Sequence, residues 1–372
     1  MPQVAIIGAG AAGLAAAQAL TRHGITPTIY EKSRGVGGRT LTRRVFDCIV
    51  DHGAQNVKTP TPALEQLIHS SHDPDGAPAY DIHQPVWTFD AAGKIAVGDP
   101  QQNAEPKWGW HSGINQLSRT LAQGLTIRTE TQVERLVATG TSPGYTLLDA
   151  TGAVVCQADA VLLTPPGPQS AAIIAAGMLD QALQEQLLDE LARADYRRCL
   201  SVALAYPRRP ELPWYALINT DRRHPIAWLA CEHIKPGHAP AQVGLMLAQM
   251  SHDFSVAHWE AAAQGTYAGG DTPLPPMLTQ VQQLVQSLLD SDPGPPLWAD
   301  LQRWRYALPA GSADFAQLNR TGSGLFFAGD YVAGQGRVHL AIESGRQVAA
   351  LIEQYCREGY ITRRTRSSIQ RM

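Results

Sequence analysis

The sequence predicts an α/β protein in which a second domain, with an antiparallel sheet, is inserted into a domain built from strand–helix–strand units. Three observations support this fold class. A short apolar run, Val4 to Ile7, is followed by a glycine-rich turn and an alanine-rich helix. Strands dominate the middle of the chain, and another strand, glycine-rich loop and helix follow near its end. Strands in a row with helices beside them are typical of an antiparallel sheet with helical cover.

The N-terminal turn has the spacing of a Rossmann-like dinucleotide site. Gly8, Gly10 and Gly13 form a GxGxxG pattern, and Ala11 and Ala12 open the helix behind it. The first glycine permits a tight turn, the second lets the backbone approach a pyrophosphate at the positive end of the helix, and the third allows close packing. A glycine-rich turn without a ligand is the alternative. The strand before, the helix after and an acid about twenty residues on favour dinucleotide binding.

That acid is Glu31, at the end of a second strand from about Thr26 to Tyr30. Its carboxylate is predicted to accept hydrogen bonds from the adenosine ribose hydroxyls, which argues against a 2′-phosphate on the ligand. Lys32 follows it and belongs to the predicted cofactor-binding set.

A second glycine-rich turn follows the ribose acid directly. Gly37 and Gly38 are followed by Arg39, and Arg34 and Gly35 precede them. A glycine pair before an arginine resembles the second diphosphate-and-flavin loop of the FAD-dependent amine-oxidase superfamily, where the arginine neutralises phosphate charge. That superfamily often has arginine two residues before the pair, where this chain has Gly35.

Composition bounds the possible functions. The chain has 372 residues, 44% hydrophobic and 17% charged, with a net charge of −3, so a sizeable core is possible and a global basic field for nucleic acid is not indicated. Five scattered cysteines without a CxxC motif favour a reducing compartment and predict no metal site. No apolar run reaches the ~18 residues of a membrane span, and we expect a cytoplasmic protein.

The central part of the chain predicts the domain organisation. Ser112 begins a predicted helix, Val133 a three-stranded meander, and a strand ending at Thr164 resembles the return to the cofactor domain in two-dinucleotide-domain flavoproteins. Strands at Cys199 to Tyr206, Ile226 to Ala230 and Val243 to Gln249 follow. We predict a discontinuous FAD-binding domain of residues 1–75, 105–167 and 298–372, and a substrate domain of residues 76–104 and 168–297.

The C-terminal region has the same order of elements as the first motif: a strand, a glycine-rich loop and a helix. Gly329 and Asp330 end an apolar strand, and Arg337 and Val338 lead from a glycine-rich loop into a helix predicted to end near Glu353. This arrangement resembles the C-terminal FAD motif of the superfamily, in which the acid reaches the ribityl or pyrophosphate segment and the helix N-terminus points at the flavin. An ordinary buried Gly-Asp turn is the alternative. The basic tail from Thr362 is predicted to be solvated and disordered.

Several segments in the same order resemble the renalase-like branch of this superfamily: SRGVGGRTLTRR, DHGAQ, HSGINQLSRTLAQGL, QRWRYALP and FAGDYVAGQGRV. The resemblance implies a two-domain fold of the p-hydroxybenzoate-hydroxylase-like or glutathione-reductase-2 type, non-covalent FAD, and oxidation of aberrant 2- and 6-dihydro isomers of NAD(P) with O2 as acceptor. It adds Gln55, Val133 and Thr164 to the predicted FAD set. Asn56 and His339 depart from residues common in the branch, which bears on the substrate and not on FAD.

The candidate catalytic residues are His52, Gln55, Asn56 and His339, and for each a local structural role is the alternative. The sequence offers no clear triad, paired carboxylates or metal set. That agrees with a dihydronicotinamide, whose ring nitrogen drives hydride departure without a base. Trp228 and Trp304 are candidate walls for a planar substrate, or simple core. Paired arginines of the middle domain are candidate phosphate ligands, or solvated surface.

Three other functions remain open. One is an amine or carotenoid-type FAD oxidoreductase of the same superfamily, and another is a flavin-binding protein without turnover. A plain NAD-dependent dehydrogenase is the weakest, because it leaves Gly38, Arg39, Gly329 and Asp330 unexplained.

Overall fold

A computed structural model describes residues 2–140, 144–289, 292–320 and 322–369, with side chains of the last helix up to residue 358. The chain forms two compact units. Unit 1 consists of residues 1–39, 118–196 and 308–372, and unit 2 of residues 40–117 and 197–307. The predicted domain boundaries concern which residues bind FAD and which bind substrate, and they stay a prediction.

Within the described residues the strands, labelled β1 to β20 in chain order, are Val4–Ile7, Thr28–Tyr30, Arg43–Val45, Cys48–Val50, Tyr80–Asp81, Val86–Phe89, Ile95–Ala96, Trp108–Gly109, Thr126–Arg128, Arg135–Ala138, Tyr145–Leu148, Val154–Ala158, Ala160–Leu163, Tyr196–Tyr206, Ala216–Asn219, Ile226–Cys231, Gly244–Met250, Gly265–Ala268, Trp298–Pro309 and Leu325–Phe327. The helices, α1 to α10, are Ala11–Arg22, Pro62–His69, Pro100–Ala104, Asn115–Ala122, Gly167–Ala175, Gln181–Leu191, His252–Ala257, Pro276–Gln286, Phe315–Leu318 and Val338–Ile369.

A five-stranded parallel sheet, in the order β20-β13-β1-β2-β9, forms the core of unit 1. All four residues of β1 and of β13 are buried, as expected of parallel strands covered on both faces. Helices α1 and α10 pack together so closely that a Cβ on Gly345 would lie 2.2 Å from the Ala12 carbonyl oxygen. The predicted three-stranded meander is present as the antiparallel sheet β10-β11-β12.

An eight-stranded sheet, in the order β18-β19-β14-β17-β16-β15-β6-β7, dominates unit 2. The described pairings are antiparallel except that β15 runs parallel to β6. Successive side chains of a strand point to opposite faces. Leu200 and Leu301 lie in the large apolar core that includes residues of α8, whereas Ala203 lies in a smaller cluster with β3 and β4 residues.

The predicted fold class is confirmed, because a Rossmann-like parallel sheet and a large, mostly antiparallel sheet are both present. The helix predicted from Ser112 begins instead at Asn115. Gly113 has a φ of 95°, and the N–H groups of Ile114 and Asn115 bond the side chains of Asp51 and Thr42. The start of α4 is therefore set by distant residues.

The last helix is longer than predicted. It continues past Glu353 to Ile369, so the predicted disorder from Thr362 is wrong for the residues up to 369. Gly359 does not end it, because one glycine inside a helix costs only about 1 kcal/mol relative to alanine. Within the described part of the chain, no helix is both long and apolar enough to cross a membrane.

Candidate functional site

The turn between β1 and α1 has the geometry that the glycine pattern predicts. Gly8 has a φ of 99°, a backbone conformation that residues other than glycine rarely adopt. A Cβ on Gly13 would lie 2.1 Å from the carbonyl oxygen of Gly8, so helix and turn are as close as a backbone permits. Thr164, at the end of β13, donates its hydroxyl to the carbonyl oxygens of Ile7 at 2.8 Å and Gly8 at 3.1 Å.

Helix α1 begins at Ala11 without a side-chain cap and without an acid in its first turn. Gly10 is the N-cap residue, and a Cβ built on it meets no atom within 4 Å. The first N–H groups of a helix have no partner within the helix, and the helix dipole adds positive potential there. Ala11, Ala12 and Gly13 therefore present backbone donors beside open space, which suits a pyrophosphate.

The second glycine-rich turn lies against the first. Gly37 pairs with Gly10 in an isolated bridge and donates its N–H to the carbonyl oxygen of Ala9 at 2.9 Å. Gly38 has a φ of 55°, and a Cβ on it would lie 3.7 Å from the Cα of Gly10. The two turns thus form one continuous backbone surface, and a Cβ built on Gly10 would adjoin open space.

Glu31 organises the first turn from the end of β2. Its Oε2 accepts the N–H of Ala9 at 2.8 Å, and its Oε1 accepts the N–H of Ser33 at 2.8 Å. The residue is only 8% exposed. Each carboxylate oxygen has two acceptor positions, so capacity for ribose hydroxyls remains. The side chain of Lys32 is exposed and Val133 is buried.

Arg39 and Asp330 join the N-terminal and C-terminal motifs within unit 1. Nη1 and Nη2 of Arg39 donate to the two carboxylate oxygens at 2.6 and 2.7 Å, and the Tyr196 hydroxyl donates to Oδ1 at 2.9 Å. Burial, and then the charge of Asp330, raise the pKa of the Tyr196 hydroxyl well above its usual value, so it stays a donor. Gly329, with a φ of 149°, donates its N–H to the hydroxyl of Ser344 in α10.

The remaining C-terminal candidates lie at the start of α10. Val338 is its first residue, His339 is partly buried in its first turn, and the side chain of Arg337 is exposed. The structure therefore unites Gly8, Gly10, Gly13, Gly38, Glu31, Arg39, Thr164 and Asp330 through contacts within unit 1. An adenine dinucleotide fits this set, since open space at a helix N-terminus and an acid at the strand end are what its pyrophosphate and ribose require.

His52, in unit 2, forms the centre of a buried hydrogen-bonded chain. Its Nε2 lies 2.7 Å from Oδ2 of Asp300 and its Nδ1 lies 3.2 Å from Oγ of Ser201. A carboxylate only accepts, so Nε2 carries the proton in the neutral ring and Nδ1 accepts from the serine. Burial would raise the pKa of the Asp300 carboxyl, but bonds from His52 and Thr266 and the charge of Arg43 outweigh it and lower the pKa.

Gln55 lies three residues further along and is 6% exposed. Its Oε1 accepts the indole N–H of Trp228 at 2.5 Å, and its Nε2 has no hydrogen-bond partner among the described residues. The indole N–H of Trp304 donates to the carbonyl oxygen of His52 at 3.0 Å. Asn56 is partly buried. Both tryptophans thus hold the segment that carries the DHGAQ motif.

A second buried ionic cluster in unit 2 was not predicted. Lys235 Nζ lies 3.1 Å from Oδ2 of Asp51 and 2.8 Å from Oε1 of Glu232, and all three are buried. Nδ1 of His238 lies 3.4 Å from Oε2 of Glu232. The carboxylates and the imidazole are close enough together to ligate a cation, but the ammonium of Lys235 already supplies the positive charge. Of this cluster, the sequence could have indicated only the pair Glu232 and Lys235, which are three residues apart.

Two sequence-family profiles match the chain. The one described as "flavin containing amine oxidoreductase" covers residues 88–353, and the one described as "NAD(P)-binding Rossmann-like domain" covers residues 6–70.

Solved structures of similar fold include three oxidases. Cyclohexylamine oxidase from Brevibacterium oxydans IH-35A has a TM-score of 0.70 at 15% identity, covering 96% of this chain and 99% of that chain. A putative protoporphyrinogen oxidase from Exiguobacterium sp. 255-15 has 0.69 at 16%, covering 95% and 99%. Putrescine oxidase bound to putrescine has 0.68 at 15%, covering 94% and 98%. These identities establish the shared fold alone. Because the first profile spans more than half of the sequence, the chain belongs to the family of flavin-containing amine oxidoreductases and is an FAD-dependent oxidoreductase.

Proposed function

We propose that this protein is an oxidase of the renalase-like type, which oxidises 2- and 6-dihydro isomers of NAD(P). FAD, when bound, supplies the hydride acceptor at N5 and the route for electrons to O2. The overall reaction consumes one dihydropyridine, one O2 and one proton, and it yields one aromatic pyridinium and one H2O2. The sequence resemblance to the renalase-like branch and the family membership support this proposal.

The observation that carries the proposal is that two basic side chains at the DHGAQ segment, His52 within it and Lys235 bound to its Asp51, already have partners in the protein. Both ring nitrogens of His52 have partners, and the residue is fully buried. Burial opposes a charge on Lys235, but Glu232, Tyr215, Asp51 and Tyr80 together outweigh it and raise the pKa of Lys235 well above its usual value. The ammonium of Lys235 therefore has no lone pair for a donor's proton, and both ring nitrogens of His52 are directed at side chains of the protein.

This engagement favours a donor that needs no base. A simple amine has a pKa of about 10 and is an ammonium at neutral pH, so it must lose a proton before its nitrogen can drive hydride departure. The ring nitrogen of a dihydropyridine carries no such proton. We therefore assign His52 to holding the DHGAQ segment through Asp300 and Ser201, and not to proton transfer. Asn56 and His339 remain proposed determinants of the donor.

We propose that FAD is bound non-covalently by the set predicted from the sequence: Gly8, Gly10, Ala11, Ala12, Gly13, Glu31, Lys32, Gly38, Arg39, Gln55, Val133, Thr164, Gly329, Asp330, Arg337 and Val338. The helix N-terminus would hold the pyrophosphate and Glu31 the ribose. Asp330, already bound by Arg39 and Tyr196, would act by fixing Arg39 as well as by direct contact. Heating should release intact FAD from the precipitated chain, and retained flavin would refute this proposal.

Anaerobic stopped-flow reduction tests the donor class. The 2- and 6-dihydro isomers of NAD(P) should bleach the flavin in one fast phase, and 4-dihydro NADH and primary amines should react slowly or not at all. Only C2 or C6 of the nicotinamide ring should come within the ~3–3.5 Å of the flavin N5 that hydride transfer requires. The rate with the isomers should be flat between pH 6 and about pH 9. A rate that rises towards the pKa of an amine donor would establish the alternative amine oxidase, and no reduction by any dihydropyridine would refute the proposal.

A further inference from the structure

Two arginines of unit 2 lie over one buried tryptophan. The guanidinium carbon of Arg198, on β14, is 5.0 Å from the ring centroid of Trp259, and that of Arg303, on β19, is 4.4 Å from it. Trp259 is 4% exposed, and both arginines are partly exposed. Because both distances are measured to the same ring centroid, the two guanidinium carbons are no farther apart than the sum of the two distances. Strands β14 and β19 are neighbours in the sheet.

Among the described residues, the two guanidinium groups lack the acidic partner that usually neutralises such a pair. Neither Arg198 nor Arg303 makes an ion pair within 4.0 Å in the described part of the chain. The acids nearest Trp259 in sequence, Asp253 and Glu260, make no ion pair with any described residue either. The two guanidinium charges repel each other at this separation. Each cation–π contact with Trp259 stabilises its arginine by only about 0.5–1 kcal/mol at a partly exposed site. The pair therefore has unused capacity for an anion.

Strand alternation places this pair on one face of the sheet. Arg303 follows Leu301 by two residues and points to the large apolar core, whereas Asp300 of the same strand bonds His52. Arg198 precedes Leu200 by two residues and points to the same face as Arg303, whereas Ser201 bonds His52. The arginine pair and the His52 chain thus lie on opposite faces.

We infer that Arg198 and Arg303 form a binding site for a phosphate or diphosphate group, with Trp259 as its floor. A guanidinium offers N–H donors in a planar fork that matches the oxygens of phosphate, and a ring beneath it fixes its plane. The two guanidinium groups beside Trp259 provide two sets of N–H donors and two positive charges for the oxygens of a diphosphate. The phosphate has two possible sources: the diphosphate of a dinucleotide donor, or a free phosphorylated metabolite. Only the first source rests on the proposed function.

Calorimetric titration of the holoenzyme with inorganic pyrophosphate tests the site. Wild type should bind, and Arg198→Met and Arg303→Met should each weaken binding about tenfold or more, the loss expected for one charge-assisted hydrogen bond. Methionine keeps the apolar cover over Trp259, so the thermal midpoint should change little. Arg303→Lys keeps the charge but not the fork and should bind with intermediate affinity. Arg208→Met, which removes an exposed arginine beyond the end of β14, is the matched control and should leave binding unchanged.

The outcomes separate the sources and the two proposals. If the arginine variants also raise KM for a dihydronicotinamide dinucleotide, and ADP-ribose displaces pyrophosphate, the phosphate belongs to the donor. If pyrophosphate binds while KM is unchanged, the site takes a free phosphorylated metabolite. Absence of pyrophosphate binding by wild type, or binding equal in wild type and both methionine variants, overturns the site. Failure of every dihydropyridine to reduce the flavin would refute the donor class and leave the titration untouched.

Discussion

Removing either partner of the Arg39–Asp330 pair should destabilise unit 1, and removing both should cost less than the two single losses added together. Asp330 has a side chain only 5% exposed, and its carboxylate accepts two bonds from Arg39 and one from Tyr196. Asp330→Asn keeps the shape but turns one acceptor oxygen into a donor that faces other donors. Arg39→Met removes both guanidinium bonds and leaves the buried carboxylate with the tyrosine alone.

The expected magnitude follows from burial. Breaking a fully buried pair by removing one partner costs about 3–5 kcal/mol. The side chain of Arg39 is 31% exposed, so water recovers part of the loss when Asp330 is replaced, and we expect about 2–3 kcal/mol for Asp330→Asn. Arg39→Met should cost about 3 kcal/mol or more, because the group left behind is the more buried one. The double variant has no unpaired charge, so the two costs should fall short of additivity by about 2 kcal/mol.

Urea unfolding of the apoprotein measures these costs without FAD, and a separate FAD titration measures the effect on affinity. Arg320→Met, which removes an exposed arginine of unit 1, is the matched control for loss of an arginine. A double variant whose cost equals the sum of the single costs would show that the two residues do not interact in solution. Single variants as stable as wild type would refute the argument from burial.

Two further predictions concern acids. Glu31→Ala leaves the N–H groups of Ala9 and Ser33 without their acceptor and removes the proposed ribose contact, so the Kd for FAD should rise about tenfold to a hundredfold in a titration of apoprotein. Burial would raise the pKa of the Glu232 carboxyl, but Lys235 and His238 together outweigh it and lower the pKa, so the unfolded chain binds the proton more tightly. Its contribution should be complete above about pH 4.5 and lost as pH falls through the lower folded pKa, which urea midpoints from pH 7 to about pH 3 should record.

Matched variants control both experiments. Glu185→Ala removes an exposed acid of α6 and should leave the Kd for FAD unchanged, and an unchanged Kd in Glu31→Ala would remove Glu31 from the site. Glu232→Gln should flatten the acid limb of the stability profile while lowering stability at pH 7, because it leaves the buried ammonium of Lys235 with one carboxylate fewer. A Gln variant with the same acid limb as wild type would contradict the assignment.

The sequence predicted the elements whose structure depends on residues close together in the chain, such as the N-terminal strand, turn and helix. The glycine spacing predicted the turn between β1 and α1 and an acid at the end of β2, because these residues belong to one strand–helix–strand unit. Glu31 was predicted to bind the ribose, and its bonds to the N–H groups of Ala9 and Ser33 were not predicted. Strands β15 and β18 were missed. Each has only four residues, and their place in the sheet depends on neighbours from distant parts of the sequence.

Tertiary networks could not be predicted in the same way. His52 and Asp300 are 248 residues apart, and Asp51 and Lys235 are 184 apart. Nothing in the sequence around one member points to the other, so His52 was predicted only as a candidate beside the flavin. The arginines of the middle domain were predicted as a group. The pairing of Arg198 with Arg303 over Trp259 depends on two strands that are neighbours in the sheet and distant in the chain.

The separation of 291 positions between Arg39 and Asp330 also bears on how the protein is made. The two glycine-rich turns leave the ribosome early. Thr164 reaches the first turn only after β13 has been synthesised, and Asp330 reaches Arg39 of the second only after β20. Contacts of such sequence separation form slowly, since a long loop must close before they contribute. During synthesis the nascent chain therefore holds an incomplete dinucleotide turn while most of unit 2 emerges. With FAD at the proposed site, its capture would be one of the last events in biogenesis, and a cell short of flavin would accumulate full-length chains without this stabilising ligand.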